Sequence, residues 1–313
     1  MLYRGPDPVE HAAGAVAAAR AAGMRIAFVT NNASRRPEAV ADHLVELGVP
    51  AEPGEVVTSA QAAARTVAAA VAPGSYVLVL GTDALADTLV EAGVRVVRRV
   101  AQAGSDGVAA VVQGLAPETS MADLAEATVA LRAGALWVVG NTDTTLPSPR
   151  GLLPGNGAFV NLLREVTGRE PVVAGKPDPA LHIESVQRVA SRRPLVVGDR
   201  LETDVLGAVR GGADSLLVLT GVTDLTALLA APNGGRPTYV ATDLRGLGTA
   251  HPEVVVAGDR ATCGSAVATL DGEIVLVEGS GDDAIRAQAA LAWAVADRAS
   301  RAQVELEWVI ADR

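Results

Sequence analysis

Short apolar runs alternate along the chain with longer stretches in which apolar residues recur at helical spacing. The short runs predict strands at residues 25–30, 76–80, 108–112, 136–139, 171–173, 195–197, 216–219 and 239–241. The longer stretches predict helices at residues 37–47, 84–91, 122–132, 158–166, 179–189 and 203–210. Strands that are apolar throughout are usually buried on both faces of a parallel sheet. The alternation therefore predicts an α/β fold with a doubly wound parallel sheet.

The last quarter of the chain has a different pattern. Two apolar runs are joined by Asp271 and Gly272, a pair typical of the two-residue turn of a β-hairpin. A helical period and a last apolar run follow. The four segments cover residues 261–270, 273–278, 282–301 and 304–310. Because this ββαβ unit is small for an independent domain, we expect an extension that packs on the main body.

The composition of the chain argues against several classes of binding partner. The 313 residues carry a formal net charge of −10, and a broad acidic field repels phosphate backbones. This argues against nucleic-acid binding but not against a small anionic substrate, since one lysine and one divalent cation can reverse the local field. The single cysteine, Cys263, excludes a disulfide framework and a cysteine-based zinc cluster, and it fits a cytoplasmic location. Apolar runs are too short for a membrane span.

The strongest chemical motif covers residues 196–204, V-V-G-D-R-L-E-T-D. An apolar strand ends at Gly198 and Asp199, and Asp204 follows where a helix begins. Because ligands of open α/β sheets bind beyond the carboxyl ends of the strands, two carboxylates at this position are placed to hold Mg²⁺. The alternative, with Asp199 as a turn residue and Asp204 as a helix cap, stays open from this motif alone.

Two further strand ends carry groups suited to an anion. Thr30, Asn31 and Asn32 follow the first predicted strand, and a hydroxyl with backbone N–H groups at a strand-to-helix junction can bind phosphate. Lys176 follows a later strand and precedes Pro177, so its ammonium group can neutralise a phosphate oxygen. Taken singly, turn chemistry and a surface lysine are the simpler explanations. The three motifs together, in this order, favour one phosphate site.

A loop rich in glycine, proline and asparagine spans residues 151–157 and follows Asn141, Thr142 and Asp143. It precedes a predicted helix, and it either shapes a substrate pocket or is an ordinary long loop. Other chemistries lack their residues, because the four histidines are scattered and neither a G-x-S-x-G elbow nor a G-x-G-x-x-G fingerprint after a strand occurs. This argues against zinc hydrolysis, serine hydrolysis and dinucleotide binding.

Together, V-T-N-N-A-S at 29–34, A-G-K-P at 174–177 and V-G-D-R-L-E-T-D at 197–204 resemble motifs II, III and IV of the haloacid dehalogenase (HAD) superfamily of phosphohydrolases. The branch that they resemble is para-nitrophenylphosphatase-like and carries a large α/β cap between motifs II and III. N-T-D with G-L-L-P-G-N-G is similar to the signature of that cap. Over about residues 1–245 the chain resembles the actinobacterial glycerol 3-phosphate phosphatase type, which similarly carries a C-terminal extension.

The resemblance implies a domain division and a substrate. Residues 1–58 and 171–248 would form the HAD-like core, 59–170 the cap and 249–313 the C-terminal extension. The cap would close over the site and select the leaving group of a small phosphorylated substrate, first of all glycerol 3-phosphate. It would also allow a homodimer. The candidate substrate contacts are Asn32, Asn141, Asp143 and Asn156.

The resemblance also implies a mechanism. A motif I of the form D-x-D-G would supply an aspartate that attacks phosphorus to give an aspartyl-phosphate, and a second aspartate as general acid and base. Thr30 and the amide of Asn31 would hold phosphate oxygens, and Lys176 would add positive charge. Asp199 would bind Mg²⁺, and Asp204, assigned to the same metal site, would position a metal-bound water or Lys176.

The chain resembles only the end of motif I, at residues 1–6, and contains no D-x-D-G. We therefore expect that the start is misplaced, with a valine codon inside the motif taken for initiation at Met1, which the upstream codons would test. As written, the chain is predicted to be an inactive form of a Mg²⁺-dependent phosphatase. Two alternatives stay open: a catalytically silent protein that binds a phosphometabolite or a partner chain, and a phosphotransferase or mutase of the same fold.

Overall fold

The computed structural model describes residues 1–4, 7–148, 150–272, 274–302 and 309–310. The chain forms two compact units. The central unit comprises Arg25–Arg192, and the terminal unit comprises Met1–Met24 and Arg193–Arg313. Within the described ranges, no helix combines the length and the apolar composition needed to cross a membrane.

Strands and helices alternate along most of the chain. The helices are α1 (Ala12–Ala21), α2 (Pro37–Glu46), α3 (Ser59–Ala70), α4 (Asp83–Glu91), α5 (Met121–Arg132), α6 (Asn156–Thr167), α7 (Pro179–Val189), α8 (Leu206–Arg210), α9 (Leu225–Leu229) and α10 (Gly281–Ala302). The strands are β1 (Tyr3–Arg4), β2 (Asp7–Pro8), β3 (Phe28–Thr30), β4 (Val56–Thr58), β5 (Tyr76–Leu80), β6 (Arg95–Val97), β7 (Ala110–Gln113), β8 (Leu136–Val139), β9 (Thr145–Ser148), β10 (Gly151–Pro154), β11 (Val172–Val173), β12 (Leu195–Gly198), β13 (Asp214–Val218), β14 (Tyr239–Ala241), β15 (Val254–Ala257), β16 (Arg260–Cys263), β17 (Ala266–Asp271), β18 (Ile274–Glu278) and β19 (Val309–Ile310). A π-helical turn, Leu201–Val205, leads into α8.

The main sheet of the central unit has five parallel strands in the order β11–β8–β7–β5–β6. Its side chains alternate between two buried layers. Val77 and Val79 of β5 pack with α3 and α4, whereas Leu78 and Leu80 pack with α5 and α6. Helices therefore cover both faces, and the carboxyl ends of the strands lie at one edge. The predicted doubly wound α/β fold is confirmed.

A second, smaller sheet of the central unit pairs β3 with β4 in parallel. Helix α7 packs on both strands, and its buried Glu184 accepts hydrogen bonds from Arg65 and Arg188. A buried carboxylate costs free energy unless it is paired, and two guanidinium groups satisfy this one. Arg188 also donates to the carbonyl of Val56 at 2.8 Å. The Arg65 contact joins α7 to α3, and the Arg188 contact with Val56 joins α7 to β4.

The terminal unit has a three-stranded parallel sheet, β12–β13–β14, and a five-stranded sheet, β15–β16–β17–β18–β19. Leu217 of β13 packs with α9 and α10, and Leu216 packs with α1 on the opposite face. Helix α10 contacts both sheets, because Ala292 packs with β13 while Leu291 packs with β16 and β17. The C-terminal extension therefore packs on the three-stranded sheet through a helix that is apolar on two sides.

The elements predicted outside the tail lie within a few residues of the observed ones, with two informative differences. β3 covers only the last half of the predicted run 25–30, since its partner β4 is also three residues long. The predicted helix 203–210 begins with the π-helical turn, where the Asp204 side chain accepts from backbone N–H groups of the strand end. The division into core, cap and extension stays a prediction, and the two units divide the chain at other residues.

The tail has more strands than the pattern indicated. The run 261–270 divides into β16 and β17, because Gly264 turns the chain with a φ of 55°, and apolar content alone does not mark such a turn. β15 adds a further strand, so four strands precede α10 instead of two. Of the run 304–310, only Val309–Ile310 lies within the described residues, where it pairs with β18.

The first turn of α5 carries a carboxylate whose protonation should weaken the fold. Hydrogen bonds from Arg99 and Ser120 lower the pKa of Asp123 from 3.8 to about 2. A lowered pKa adds stability that is present above pH 4 and is lost as the pH falls towards 2. We expect Asp123→Asn to cost stability at pH 5, and the difference from the unchanged chain to shrink as the pH approaches 2. Urea unfolding across this range measures it. A difference that stays constant with pH would contradict the expectation.

Candidate active site

The loop after β3 is shaped by its own side chains. The N–H of Asn32 donates to Thr30 Oγ1 at 3.1 Å. Ser34 donates to Asn32 Oδ1 through its N–H at 2.6 Å and through its hydroxyl at 2.7 Å. These bonds hold a tight turn between β3 and α2. Thr30 and Asn32 therefore serve the turn itself, and a phosphate-binding role for them stays a prediction.

Asn31 joins this loop to the segment that contains Lys176. Its side-chain amide pairs with the Lys176 backbone: Oδ1 accepts from the N–H at 2.7 Å, and Nδ2 donates to the carbonyl at 3.2 Å. One amide side chain thus satisfies both backbone groups of the lysine. Gly175 allows this close approach, since a Cβ on it would lie 2.1 Å from the carbonyl oxygen of Gly140 and 2.7 Å from Asn31 Oδ1.

A chain of buried amides leads from this point into the main sheet. Asn141, which is 8% exposed, donates to the carbonyl of Asn31 at 2.8 Å. Asn156, 2% exposed, donates to the carbonyl of Asn141 at 2.6 Å and accepts from Gln113 Nε2 at 3.3 Å. Gln113, 1% exposed at the end of β7, accepts from the indole N–H of Trp137 at 3.1 Å. Each buried amide is thereby paired, as burial requires.

Small residues let the β3 loop lie against the ends of other strands. Ala33 is buried against Gly114, which follows β7, and Gly140, which follows β8. A Cβ on either glycine would approach the methyl group of Ala33 to 3.1 Å or 2.9 Å. The Ser59 hydroxyl donates to the Asn31 carbonyl at 2.7 Å. The carboxyl ends of β3, β7, β8 and β11 therefore meet at one place in the central unit.

The predicted substrate contacts differ in their surroundings. Asn141 and Asn156 are buried, and their amides bond to the protein. Asp143 is partly exposed, and its backbone is engaged: its N–H donates to Asn141 Oδ1 at 3.2 Å, and its carbonyl accepts from Gly157 at 2.8 Å. Contact of these residues with a substrate stays a prediction.

Asp199 and Asp204 lie side by side in the terminal unit. Buried Asp204 accepts through Oδ2 from the N–H groups of Asp199 and the residue after it, both at 3.2 Å. Gly198 leaves room for this side chain, since a Cβ there would lie 2.2 Å from Asp204 Cβ. Asp199 Oδ2 accepts from the N–H of Val222 at 3.0 Å. One strand end thus carries a buried carboxylate and a partly exposed one.

The partly exposed carboxylate already faces a cation. Asp199 Oδ1 lies 3.3 Å from the α-ammonium group of Met1. Among the residues that the structure describes, no group of three or more histidine, cysteine, aspartate or glutamate side chains is placed to hold a metal ion. An ion at Asp199 would take its other ligands from backbone, water or substrate oxygens, a pattern usual for Mg²⁺.

Sequence reasoning missed the groups that connect the strand ends. Gln113, Trp137 and Ser59 are not among the predicted site residues, although a polar residue that closes an apolar strand, as Gln113 does, is a usable signal. The sequence signal at Lys176 is stronger. This residue is the single lysine among 26 basic residues, so arginine stands at every other basic position. A compact ammonium group differs from a guanidinium group in chemistry, which marks this position.

Comparison with known proteins identifies the family. Residues 1–95 match a family model described as haloacid dehalogenase-like hydrolase, and residues 173–247 match a HAD-hydrolase-like model. The chain is 34% identical over 245 residues to acid sugar phosphatase from Staphylococcus aureus, covering 78% of this chain and 91% of that protein. The chain belongs to the haloacid dehalogenase-like hydrolases. The resemblance predicted from the motifs is confirmed.

Two further comparisons place this HAD-like hydrolase more closely. It is 53% identical over 234 residues to D-glycerol 3-phosphate phosphatase from Mycobacterium tuberculosis, and this match spans 75% of the chain but only 65% of that protein. A crystal structure of glycerol phosphate phosphatase from the same organism, in complex with magnesium, aligns with a TM-score of 0.84 at 42% identity, covering 100% of this chain and 91% of that one. The fold prediction agrees with this similarity.

The close packing at Gly175 gives a direct test of the Asn31–Lys176 pair. In Gly175→Ala the added Cβ would lie 2.1 Å from a carbonyl oxygen, so the loops must separate. We expect the free energy of unfolding to fall by about 1–3 kcal/mol, the usual range for overpacking. Gly54→Ala is the matched control, since nothing lies near that position, and it should change stability by less than about 0.5 kcal/mol. Equal stability of the two variants in urea unfolding would refute the packing argument.

Proposed function

We propose that this HAD-like hydrolase is a phosphomonoesterase that acts on a small phosphorylated metabolite of the glycerol 3-phosphate kind. The observation that carries the proposal is that the Thr30 loop and the single lysine meet at one place, fixed by the Asn31–Lys176 pair. A hydroxyl, turn N–H groups and an ammonium group at strand ends are suited to phosphate. Support comes from two relatives, one named a D-glycerol 3-phosphate phosphatase and the other an acid sugar phosphatase.

Mg²⁺ is the cofactor that the terminal unit suits. Asp199 and Asp204 are hard oxygen donors at one strand end, and Asp199 is partly exposed. The similar crystal structure from Mycobacterium tuberculosis is a magnesium complex. In the proposal Asp199 holds the ion directly, while Asp204, whose Oδ2 fixes the turn, acts through water. When bound, the ion supplies positive charge to the transferring phosphoryl group.

The residues of the central unit place and polarise the phosphate in the proposed reaction. Thr30 Oγ1 accepts from the N–H of Asn32, and in the proposal its O–H donates to a phosphate oxygen. The N–H of Asn31 holds a second oxygen. The two donors are neutral, so the ammonium group of Lys176 is the group that neutralises negative charge on the phosphate. Pre-placed charge of this kind is the main catalytic contribution in phosphoryl transfer.

The covalent step needs an aspartate that the resemblance assigns to the D-x-D-G element. Its carboxylate attacks phosphorus, the bond from phosphorus to the alcohol oxygen breaks, the second aspartate of the element protonates that oxygen, and an aspartyl-phosphate forms. Water, which gives a proton to the same second aspartate, then attacks phosphorus, and the bond from phosphorus to the first carboxylate breaks to release inorganic phosphate. Since the 313 residues contain no D-x-D-G, we expect them to bind phosphate without turnover and a chain that carries the element to turn over.

The second candidate is a catalytically silent protein that binds a phosphorylated metabolite. It would need only the phosphate-binding groups beside the Asn31–Lys176 pair, which hydrogen bonds hold together. A chain that carries the element and hydrolyses no phosphomonoester, yet binds inorganic phosphate, would establish this candidate. The cap division at 59–170, the cytoplasmic location and the homodimer remain predictions under either function.

Removal of the single ammonium group should impair the reaction strongly. Lys176→Met keeps the stem and removes the charge. In a chain that carries the D-x-D-G element, we expect kcat/KM for a phosphomonoester to fall about 100-fold or more, the usual loss when one pre-placed charge or donor is removed. Arg132→Gln, on the exposed end of α5, removes the same charge as a control and should leave kcat/KM unchanged. An active Lys176→Met variant would overturn the assignment.

Mg²⁺ binding can be measured without turnover. A ligand that binds only the folded state raises the melting temperature, so we expect Mg²⁺ to raise Tm in the unchanged chain. Asp199→Asn should lose most of this increase, because the direct carboxylate ligand is gone. Asp214→Asn, an exposed position at the start of β13 in the same unit, is the control and should keep it. The same Mg²⁺ response in both variants would place the ion elsewhere.

A further inference from the structure

The hydrogen bonds between the buried amides of the central unit follow one donor-to-acceptor order, and this order is set by Trp137. An indole N–H can only donate, so the oxygen of Gln113 faces it at 3.1 Å. The NH₂ group of Gln113 then faces Asn156, whose oxygen accepts at 3.3 Å. Asn156 in turn presents its own NH₂ group to the carbonyl of Asn141 at 2.6 Å. The orientation of each amide follows from the one before it.

The same order continues to Lys176. Asn141 donates to the Asn31 carbonyl at 2.8 Å, and the Ser59 hydroxyl donates to the same oxygen at 2.7 Å. With its backbone held in this way, Asn31 uses its side chain to pair with both backbone polar groups of Lys176. We refer to four of these residues as the amide relay. They are Gln113, Asn156, Asn141 and Asn31.

We propose that the amide relay is a positioning device, in which Gln113 and Asn156 fix the place of Lys176 through Asn141 and Asn31. A lysine ammonium is a point charge on a flexible four-carbon stem, so the reach of Nζ depends on where the backbone is held. A charge stabilises the transition state most effectively when it is already in position before the reaction begins. The role of the ammonium group rests on the proposed function, whereas the fixing of the Lys176 backbone does not.

Because the relay is buried, it depends on which atoms donate and which accept hydrogen bonds, and not only on the shape of the side chains. Gln113 and Asn156 are 1% and 2% exposed, so water has little access to replace a lost partner. An amide that is reversed, or replaced by a carboxylate, would set oxygen against oxygen in an apolar layer. Such a contact costs more than the loss of an exposed hydrogen bond. The next residue along must then move or turn, and the change passes towards Asn31.

Asn156→Asp is the sharpest test of the relay. The carboxylate has the shape of the amide but cannot donate to the Asn141 carbonyl. We expect the Lys176 backbone N–H to exchange with solvent about tenfold faster, and inorganic phosphate to bind about tenfold more weakly, effects of the size expected when one buried hydrogen bond is lost. Phosphate binding is read as protection of Lys176 from acetylation, which mass spectrometry locates at the single lysine. Gln113→Glu sets oxygen against Asn156 Oδ1 and should have the same effects.

Two matched variants separate positioning from packing and from charge. Val67→Ala removes buried volume from α3, in a cluster that contains neither Trp137 nor a relay residue. Gln61→Glu adds a charge at a side-chain oxygen that accepts from the Thr58 N–H at 3.1 Å, a bond that a carboxylate keeps. Both should leave phosphate protection within about twofold of the unchanged chain, as expected for sites that share no partner with the relay. If Val67→Ala weakens protection as much as Asn156→Asp, the relay only supports the fold and the proposal is wrong.

The outcomes distinguish this inference from the proposed function. If inorganic phosphate fails to protect Lys176 in the unchanged chain, the proposed function is contradicted, and exchange of the Lys176 N–H still decides the relay. If Asn156→Asp keeps both the slow exchange and the phosphate protection, the relay is contradicted and the proposed function stands. Faster exchange with weaker protection, in both relay variants and in neither control, supports the proposal.

Discussion

The pairing of the Asn31 side chain with the Lys176 backbone is the interaction on which the rest of the central unit's site depends. β3 and β11 belong to different sheets, so no ladder of backbone hydrogen bonds joins the loops that follow them. A single side-chain amide, with one donor and one acceptor in use, makes the connection instead. It can do so because Gly175 lacks the Cβ that would collide with Gly140.

Fold stability and site geometry are served here by the same polar groups. A doubly wound sheet buries its strands on both faces, and any polar group at a strand end must then find a partner inside the protein. Gln113, Asn141 and Asn156 find their partners in one another and in Trp137 and Asn31. An ordered set of hydrogen bonds thus reaches from the apolar layer to the loops with Thr30 and Lys176. Burial explains why amides, which are uncharged and both donate and accept, occupy these positions.

The charged groups at the strand ends of this hydrolase are arranged independently of the net charge of the whole chain. The chain is acidic as a whole, with a formal net charge of −10, yet its only lysine is fixed at a strand end of the central unit. In the terminal unit, Asp204 is held by backbone N–H groups, and the partly exposed Asp199 faces the Met1 ammonium. Carboxylate oxygens that are held in this way are fixed in place, and hard oxygen donors of this kind suit a cation such as Mg²⁺. The overall negative charge therefore does not prevent a positive group from being fixed at a strand end.

The amino-acid sequence by itself determined the fold class, the family and the strand ends that carry Thr30, Lys176 and Asp199. These are local features, since apolar periodicity and motif spacing are written within a few neighbouring residues. It did not determine the turn at Gly264, which depends on backbone conformation, or the partners of Gln113, Asn141 and Asn156. Those partners lie up to 110 positions apart in the chain, and whether an asparagine faces substrate or a neighbouring amide depends on which loops the packing brings together. Only the tertiary structure decides that, because hydrogen-bond partners are fixed by distance in space and not by separation along the chain.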